Sequence, residues 1–286
     1  MSSLGSKHLS NMPSSSNTRA TKSPIRYVAY FDFIGFRNWI RTEGSAEVYS
    51  RVVHFLGLAM KGSLPNSTVG EEPYSMQLRR SRVTHFNFSD TIIFYTTTCS
   101  YASLRELIKT CVNFMVLAVE IQMVRGAIAK GDFRVFREDR IHIGEALLDA
   151  HDLAESQDWV GISLHSSMED DPHFLRYQKD YPRCLVRYPA PLKHGVHGGY
   201  CLNWLDKRVQ DWDFFPADSL EECRKRALAS AAGHPEEIKK IDKRIEHTRA
   251  FLIKHEPEEM RQTMGGLELG RRAPVASVAR GLGRCA

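Results

Sequence analysis

The run YVAYFDFIGFRNWI, residues 27–40, limits what this chain can become. Its first half is apolar at every position but one, so residues 26–32 read as a strand that lies centrally in its sheet with both faces covered. The exception is Asp32. An ionised carboxylate in such a run costs several kcal/mol unless a cation or a set of donors holds it. Asp32 is therefore either a satisfied structural acid or a functional group.

The chain around that strand alternates strands and helices. After the Gly35–Phe36 turn a helix is expected, best patterned over 46–60, where Val48, Val52, Phe55, Leu56 and Ala59 share a face. Residues 62–80 are rich in turn formers and read as a loop. RVTHFNFSDTIIFYT (82–96) has the alternation of a hairpin broken at Ser89–Asp90. SLRELIKTCVNFMVLAVEI reads as a long helix, with Ser103 and Glu106 as a capping box and Leu104, Leu107, Ile108, Cys111 and Met115 on one side. VRGAIAKGDF follows as a strand with RIHIG as its candidate partner, then EALLDAHDLAES as a helix and GISLH as a strand. Residues 26–165 thus give a β-α-β-β-α-β core with an extension. The fold class is α+β, a palm-like (ferredoxin-like) sheet with helices on one face.

Beyond it, CLVRYP (184–189) reads as a further strand and GGYCLNWL (198–205) as a buried segment. From Pro235 a helix carries Ile238, Ile241, Ile245 and Leu252 on one stripe, expected to pack on the parent domain. The division is then 1–24 disordered, 25–215 the main folded domain, 216–263 a C-terminal helical extension, and 264–286 a disordered tail. No internal repeat is visible.

A chain of 286 residues with 42% hydrophobic content supports a real core. No apolar run is long enough to span a bilayer and no signal-peptide region opens the chain, so a soluble cytoplasmic protein without a membrane partner is expected. The six cysteines show no close pairing or zinc spacing, as suits buried thiols in a reducing compartment. The net charge of +5 is mild and scattered, which suits anionic ligands and disfavours nucleic acid.

Asp32 ends the first central strand, and Asp90 sits in the hairpin turn of the next two. In a β-α-β-β sheet both reach the same edge. Two such charges roughly 4–5 Å apart repel by about 4 kcal/mol at an effective dielectric of 20. One must hold a proton, or a divalent cation must resolve the conflict, as when two acids and substrate phosphates hold Mg²⁺ or Mn²⁺. Gly35 permits a tight turn into the following helix, whose free N–H groups favour a phosphate. Each part taken alone has an ordinary explanation: a strand-end Asp is commonly a helix cap, and Ser-Asp is normal turn chemistry.

At these residues the sequence resembles a known family. VAYFDFIGF resembles the F-x-D-I-x-G-F start of class III nucleotide cyclases, and FNFSDTIIFY their hairpin. VRGAIAKGD followed by IGEALLDAHDLAES resembles the strand–helix block after it. The pieces D-F-x-G-F, F-S-D, R-G-x-I and G-x-A-L-x-D-A are similar to those of the bacterial pyrimidine cyclases of the Pycsar antiphage system. The resemblance covers roughly 26–165, about half the chain.

That resemblance implies two Mn²⁺ or Mg²⁺ ions on Asp32 and Asp90, with the Phe33 carbonyl as a further ligand. It implies a triphosphate on the backbone of Phe33, Ile34, Gly35 and Phe36. It also implies a homodimer with active sites at the interface, UTP as substrate, cyclic UMP as product, and a separate effector protein that responds to the cyclic nucleotide. Three departures stand out. Phe86 falls near the base-reading Lys of purine cyclases. LLDAHDL lacks the Asn and transition-state Arg of the family's helix, leaving Arg125 and Lys130 as candidate cations, with a surface role as the alternative for each. Ser89 replaces the hairpin Gly, which a type I-like turn would tolerate. Cytidylate cyclase, a purine cyclase, and a catalytically silent palm that senses nucleotide are the rival readings. Replacing Asp32 or Asp90 with Asn is expected to leave the fold intact by relieving repulsion.

Overall fold

In the computed structural model, residues 24–63, 81–136, 141–206 and 216–255 are described below. The expectations of a loop over 62–80, for most of its length, and of disordered ends fall outside them.

The first strand, β1 (Ile25–Phe33), is followed by α1 (Phe36–Glu43) and α2 (Ser45–Ser63), and then by the hairpin β2 (Val83–Phe88) and β3 (Thr91–Thr96). Helix α3 (Tyr101–Val119) leads to β4 (Val124–Asp132), and a short ribbon of β5 (Arg134–Phe136) and β6 (Ile141–Ile143) leads to α4 (Glu145–Ser156) and β7 (Ile162–Leu164). A 3₁₀ turn at Ser166–Met168 and α5 (Pro172–Asp180) precede β8 (Leu185–Arg187), β9 (Ala190–Pro191), β10 (Val196–His197) and β11 (Tyr200–Leu202). Two helices follow, α6 (Pro216–Ser230) and α7 (Pro235–His255).

The main sheet has seven strands in the order β2-β3-β1-β4-β7-β11-β8. Its first four strands are antiparallel throughout, with β1 between β3 and β4. This is the β-α-β-β-α-β core expected from the sequence, and β1 is central as its two apolar faces require. The extension begins with β7, which runs parallel to β4.

Alternation along β1 sends Tyr27, Ala29, Phe31 and Phe33 into a core shared with α2 and α3, and Val28 and Tyr30 to the opposite face. Helix α3 is buried nearly all round, as an almost continuous apolar sequence dictates. The helices of the β-α-β-β-α-β core therefore share one face, as expected, while α4 of the extension lies across the other. It packs there through Ala146, Ala150 and Ala154.

Three local expectations need correction. The N-cap of α3 is Ser100, whose hydroxyl accepts from the Ser103 amide, and not Ser103. Glu106 instead turns away from that helix end to accept from the Ser81 hydroxyl at 2.5 Å and the Arg82 amide at 2.8 Å. RIHIG pairs with Arg134–Phe136, not with β4, because after Phe133 the chain leaves the main sheet and β5 and β6 form a separate two-stranded ribbon. The α7 stripe packs on the parent domain as expected. Ile241, Ile245 and Leu252 join the core that also holds α3 and the sheet, and Phe251 packs against Trp159 and Tyr188.

The hairpin turn departs from the type I geometry. A type I turn has negative φ at both central positions, whereas Ser89 has φ of +57°. It is the one non-glycine residue with positive φ among those described. A serine there carries Cβ strain that glycine would not. Ser89→Gly should therefore stabilise the chain by about 1 kcal/mol, read as a higher urea midpoint at unchanged slope.

Candidate active site

Asp32 lies opposite Arg125 on β4 and opposite Thr91 on β3, so it is flanked on both sides at the end of the sheet. Asp90 is next to Thr91, and its backbone carbonyl accepts from the Phe33 amide at 3.1 Å. The Ile34 amide donates to the Met123 carbonyl at 2.9 Å. The turn that leaves β1 is thus fastened to both neighbouring strands. The two acids come to one edge, as the topology required.

The turn itself is built as the sequence suggested. Gly35 adopts φ of +80° as the N-cap of α1, a left-handed conformation that a side chain would strain. No side chain caps this helix start, and the Phe36 and Arg37 amides have no backbone acceptor among the described residues. The side chains of Phe33, Phe36 and Trp39 pack on one another and Phe33 on Phe114, anchoring the turn from beneath.

Arg125 is the residue that most alters the picture. Its Nε and Nη2 donate to the same oxygen of Asp32, Oδ2, at 3.0 and 2.8 Å. Nη2 also donates to the Glu155 carboxylate at 2.5 Å, and Nη1 to the Glu155 carbonyl at 2.9 Å and towards that of Gln157 at 3.5 Å. A guanidinium has five N–H donors, and here every one is directed at an acceptor. Both partners in the Asp32 pair are about one-tenth exposed at the side chain. Glu155 is more open and is approached by Lys193 at 3.7 Å.

Burial pushes the Asp32 carboxyl above the usual range. Arg125 opposes that shift, and the negative charges of Glu155 and Asp90 add to it. The neighbouring Tyr30 hydroxyl is raised by burial, with the Thr91 hydrogen bond opposing and Asp32, Glu155 and Asp90 adding. Three carboxylates thus act on one small region.

Lys130 is not brought here. It pairs opposite Tyr27, five positions along β4 from Arg125, or about 16 Å away, with its side chain on the other face. Its ammonium meets Asp171 at 3.1 Å, and the buried Tyr27 hydroxyl donates to the same carboxylate. Asp171 also caps α5 by accepting from the His173 amide. The expectation that Lys130 faces the Asp32 site is corrected: it holds a buried acid elsewhere.

Phe86 lies on the Asp32 side of the sheet, and His142 from the β5–β6 ribbon stacks on its ring at 3.7 Å. It offers no donor to a base. Glu155 and Gln157 were not picked out from the sequence. A carboxylate in the last turn of a helix opposes the helix dipole, and that was the available signal for Glu155.

The residues present fit a divalent cation in part. Asp32 Oδ1 and the Asp90 carboxylate have no hydrogen-bond partner among the described residues, so both can accept a hard cation. No cluster of three or more His, Cys, Asp or Glu side chains that could hold a metal occurs among the described residues, so water and substrate would complete the coordination.

Neither a protein-family model nor a curated protein sequence matches this chain. Among solved structures it is similar to the adenylyl cyclase CyaB from P. aeruginosa, with 12% identity and a TM-score of 0.41, over 62% of this chain and 93% of that one. A likeness of that size says nothing about the activity of this chain. No helix among the described residues is long and apolar enough to cross a membrane.

The site electrostatics fix the outcome of two substitutions. Asp32 has a raised folded pKa, so it binds a proton more tightly folded than unfolded, and stability falls as pH rises from about 3.8 through the folded value. Asp32→Asn removes that slope while keeping an acceptor for Arg125. Its stability should stay within about 1 kcal/mol of wild type at pH 7 and improve relative to wild type across that rise. Arg125→Met should cost about 3 kcal/mol, because Asp32 and Glu155 then face each other uncompensated. Urea unfolding at several pH values checks both.

Proposed function

We propose that this protein is a metal-dependent nucleotide cyclase that converts UTP to cyclic UMP and pyrophosphate. The observation that supports the reading is the convergence of Asp32 and Asp90 at one sheet edge beside the Gly35-capped start of α1. In this reading Asp32 and Asp90 hold two divalent ions, with the Phe33 carbonyl as a further ligand. Those ions, Mn²⁺ or Mg²⁺, supply charge neutralisation on the triphosphate and lower the pKa of the attacking ribose 3′-hydroxyl. The open amides at the start of α1 receive phosphate oxygens, and the Gly35 conformation brings the backbone close enough to do so. Arg125 is the cation nearest the reacting phosphate.

The choice of a pyrimidine rests on the family resemblance and on Phe86, which cannot read a purine by hydrogen bonding. Its ring face is already covered by His142. The choice of uracil over cytosine, the role in antiphage signalling through a separate effector, and a cytoplasmic setting rest on the resemblance alone. A homodimer with its sites at the interface is supported by exposed apolar side chains. Phe88, Phe136, Ile141, Ile143 and Leu148, the first 78% exposed, belong to elements bordering the side of the sheet that carries Asp32.

A second reading has its own observation. Arg125 spends all its donors within the chain, which suits a palm that binds nucleotide without turning it over.

Purified protein with Mn²⁺ and each of ATP, GTP, CTP and UTP in turn separates these readings, with products identified by mass. Cyclic UMP from UTP alone is the expected outcome, lost by about a hundredfold or more in Asp32→Asn and in Asp90→Asn. Cyclic CMP from CTP would move the base assignment. Metal-dependent nucleotide binding with no product would favour the sensor.

A further inference from the structure

We propose that Arg125 is a resident counterion of Asp32 that a divalent cation must displace, and that the guanidinium stays tethered to the end of α4 when it moves. The proposal rests on the metal-dependent reading above and concerns this chain's own residues.

Asp32 takes two of the five N–H groups of Arg125, both on Oδ2, while the Glu155 carboxylate, the Glu155 carbonyl and the Gln157 carbonyl take the others. Giving up Asp32 therefore breaks two hydrogen bonds and leaves the anchorage on α4 in place. As it stands, Arg125 has no donor to offer a phosphate. Once off Asp32, it has two.

Charge supplies the reason for movement. A divalent ion on Asp32 Oδ1 would lie within about 5 Å of the guanidinium, and charges of +2 and +1 at that separation repel strongly in a poorly solvated site. Asp32 cannot retain both partners at full strength. Glu155 offers the arginine a second carboxylate, and its exposure and the approach of Lys193 at 3.7 Å make that charge less costly to leave with Arg125 once Asp32 is given up. The guanidinium thus serves the metal-free chain by neutralising a buried acid, and becomes free to contact a phosphate only when the cation arrives. The competing account is a permanent structural pair, in which Arg125 simply caps the carbonyls ending α4 and any cation binds beside it.

The test is direct binding of Mn²⁺ alone to the full chain at pH 8, followed by the electron paramagnetic resonance signal of free Mn²⁺, in wild type and Arg125→Met. If Arg125 competes with the cation, the variant binds Mn²⁺ at least about tenfold more tightly. Equal or weaker binding by a folded variant overturns the inference and leaves the metal reading standing. No Mn²⁺ binding by either protein at millimolar concentration overturns both. A second measurement needs no variant at the site. In ¹⁵N-arginine-labelled wild type, the Arg125 Nε–H signal should shift and lose its slow exchange with water as Mg²⁺ is added. A signal unchanged at Mg²⁺ saturation sinks the proposal.

Discussion

The contact between Asp32 and Arg125 depends on a strand register that the rest of the sheet cannot relax. Tyr27, Ala29, Phe31 and Phe33 must enter the α3 core, so the residue between the last two aromatics must face the other way. A slip of one residue would drive Asp32 into that core and move four core side chains to the face that α4 covers. The same register sets Arg125 directly across from it on β4. The buried acid and its cation are thus consequences of one alternation. The cation is what makes the ionised acid tolerable where it lies.

Helix α4 needs the same cation for a separate reason. A helix ends with carbonyls that have no intrahelical partner and with a partial negative charge. Glu155 adds a full negative charge to that end. Arg125 answers part of it, taking the Glu155 carbonyl, leaning on that of Gln157, and pairing with the Glu155 carboxylate, while the Lys193 amide takes the Ser156 carbonyl at 2.7 Å and the Gln157 amide that of Ala154. Gln157 closes the arrangement from behind, donating to the Gly126 carbonyl at 2.7 Å and accepting from the Ser163 hydroxyl at 3.0 Å. One guanidinium therefore joins β1, β4 and the end of α4, and removing it disturbs three elements together.

What the sequence disclosed follows from what periodicity encodes. The doubly apolar β1, the hairpin at Ser89–Asp90 and the long α3 each carry a pattern that has one structural solution, and the sheet order follows from their sequence in the chain. Periodicity gives α4 an apolar stripe but does not say which face of the sheet receives it. The partner of RIHIG was equally undetermined, because a short apolar run pairs with whatever strand the turn before it supplies. Helix α5 had a readable start, Asp171 as N-cap followed by Pro172, that went unused. At the site, the acids and Gly35 stood out by being chemically out of place. Arg125 stood out as a cation, but its partners depend on register and on a helix end thirty residues away in sequence, which no local pattern reports.

The alanines of α4 explain how that helix end reaches the sheet at all. Ala146, Ala150 and Ala154 lie one turn apart on the buried side, and small residues there let the helix axis approach β1 and β4 closely. The approach is tight enough that a Cβ added to Gly131 would come within 3.1 Å of the Ala146 backbone. Larger side chains at these positions would lift α4 away and carry the Glu155 and Gln157 carbonyls out of reach of Arg125. The guanidinium would then be left with Asp32 alone, a buried pair with unsatisfied donors, which is the more costly arrangement. The small side chains therefore protect the electrostatics of the site as much as the packing. The close fit they produce lets a helix terminus take part in balancing a carboxylate on the strand below it.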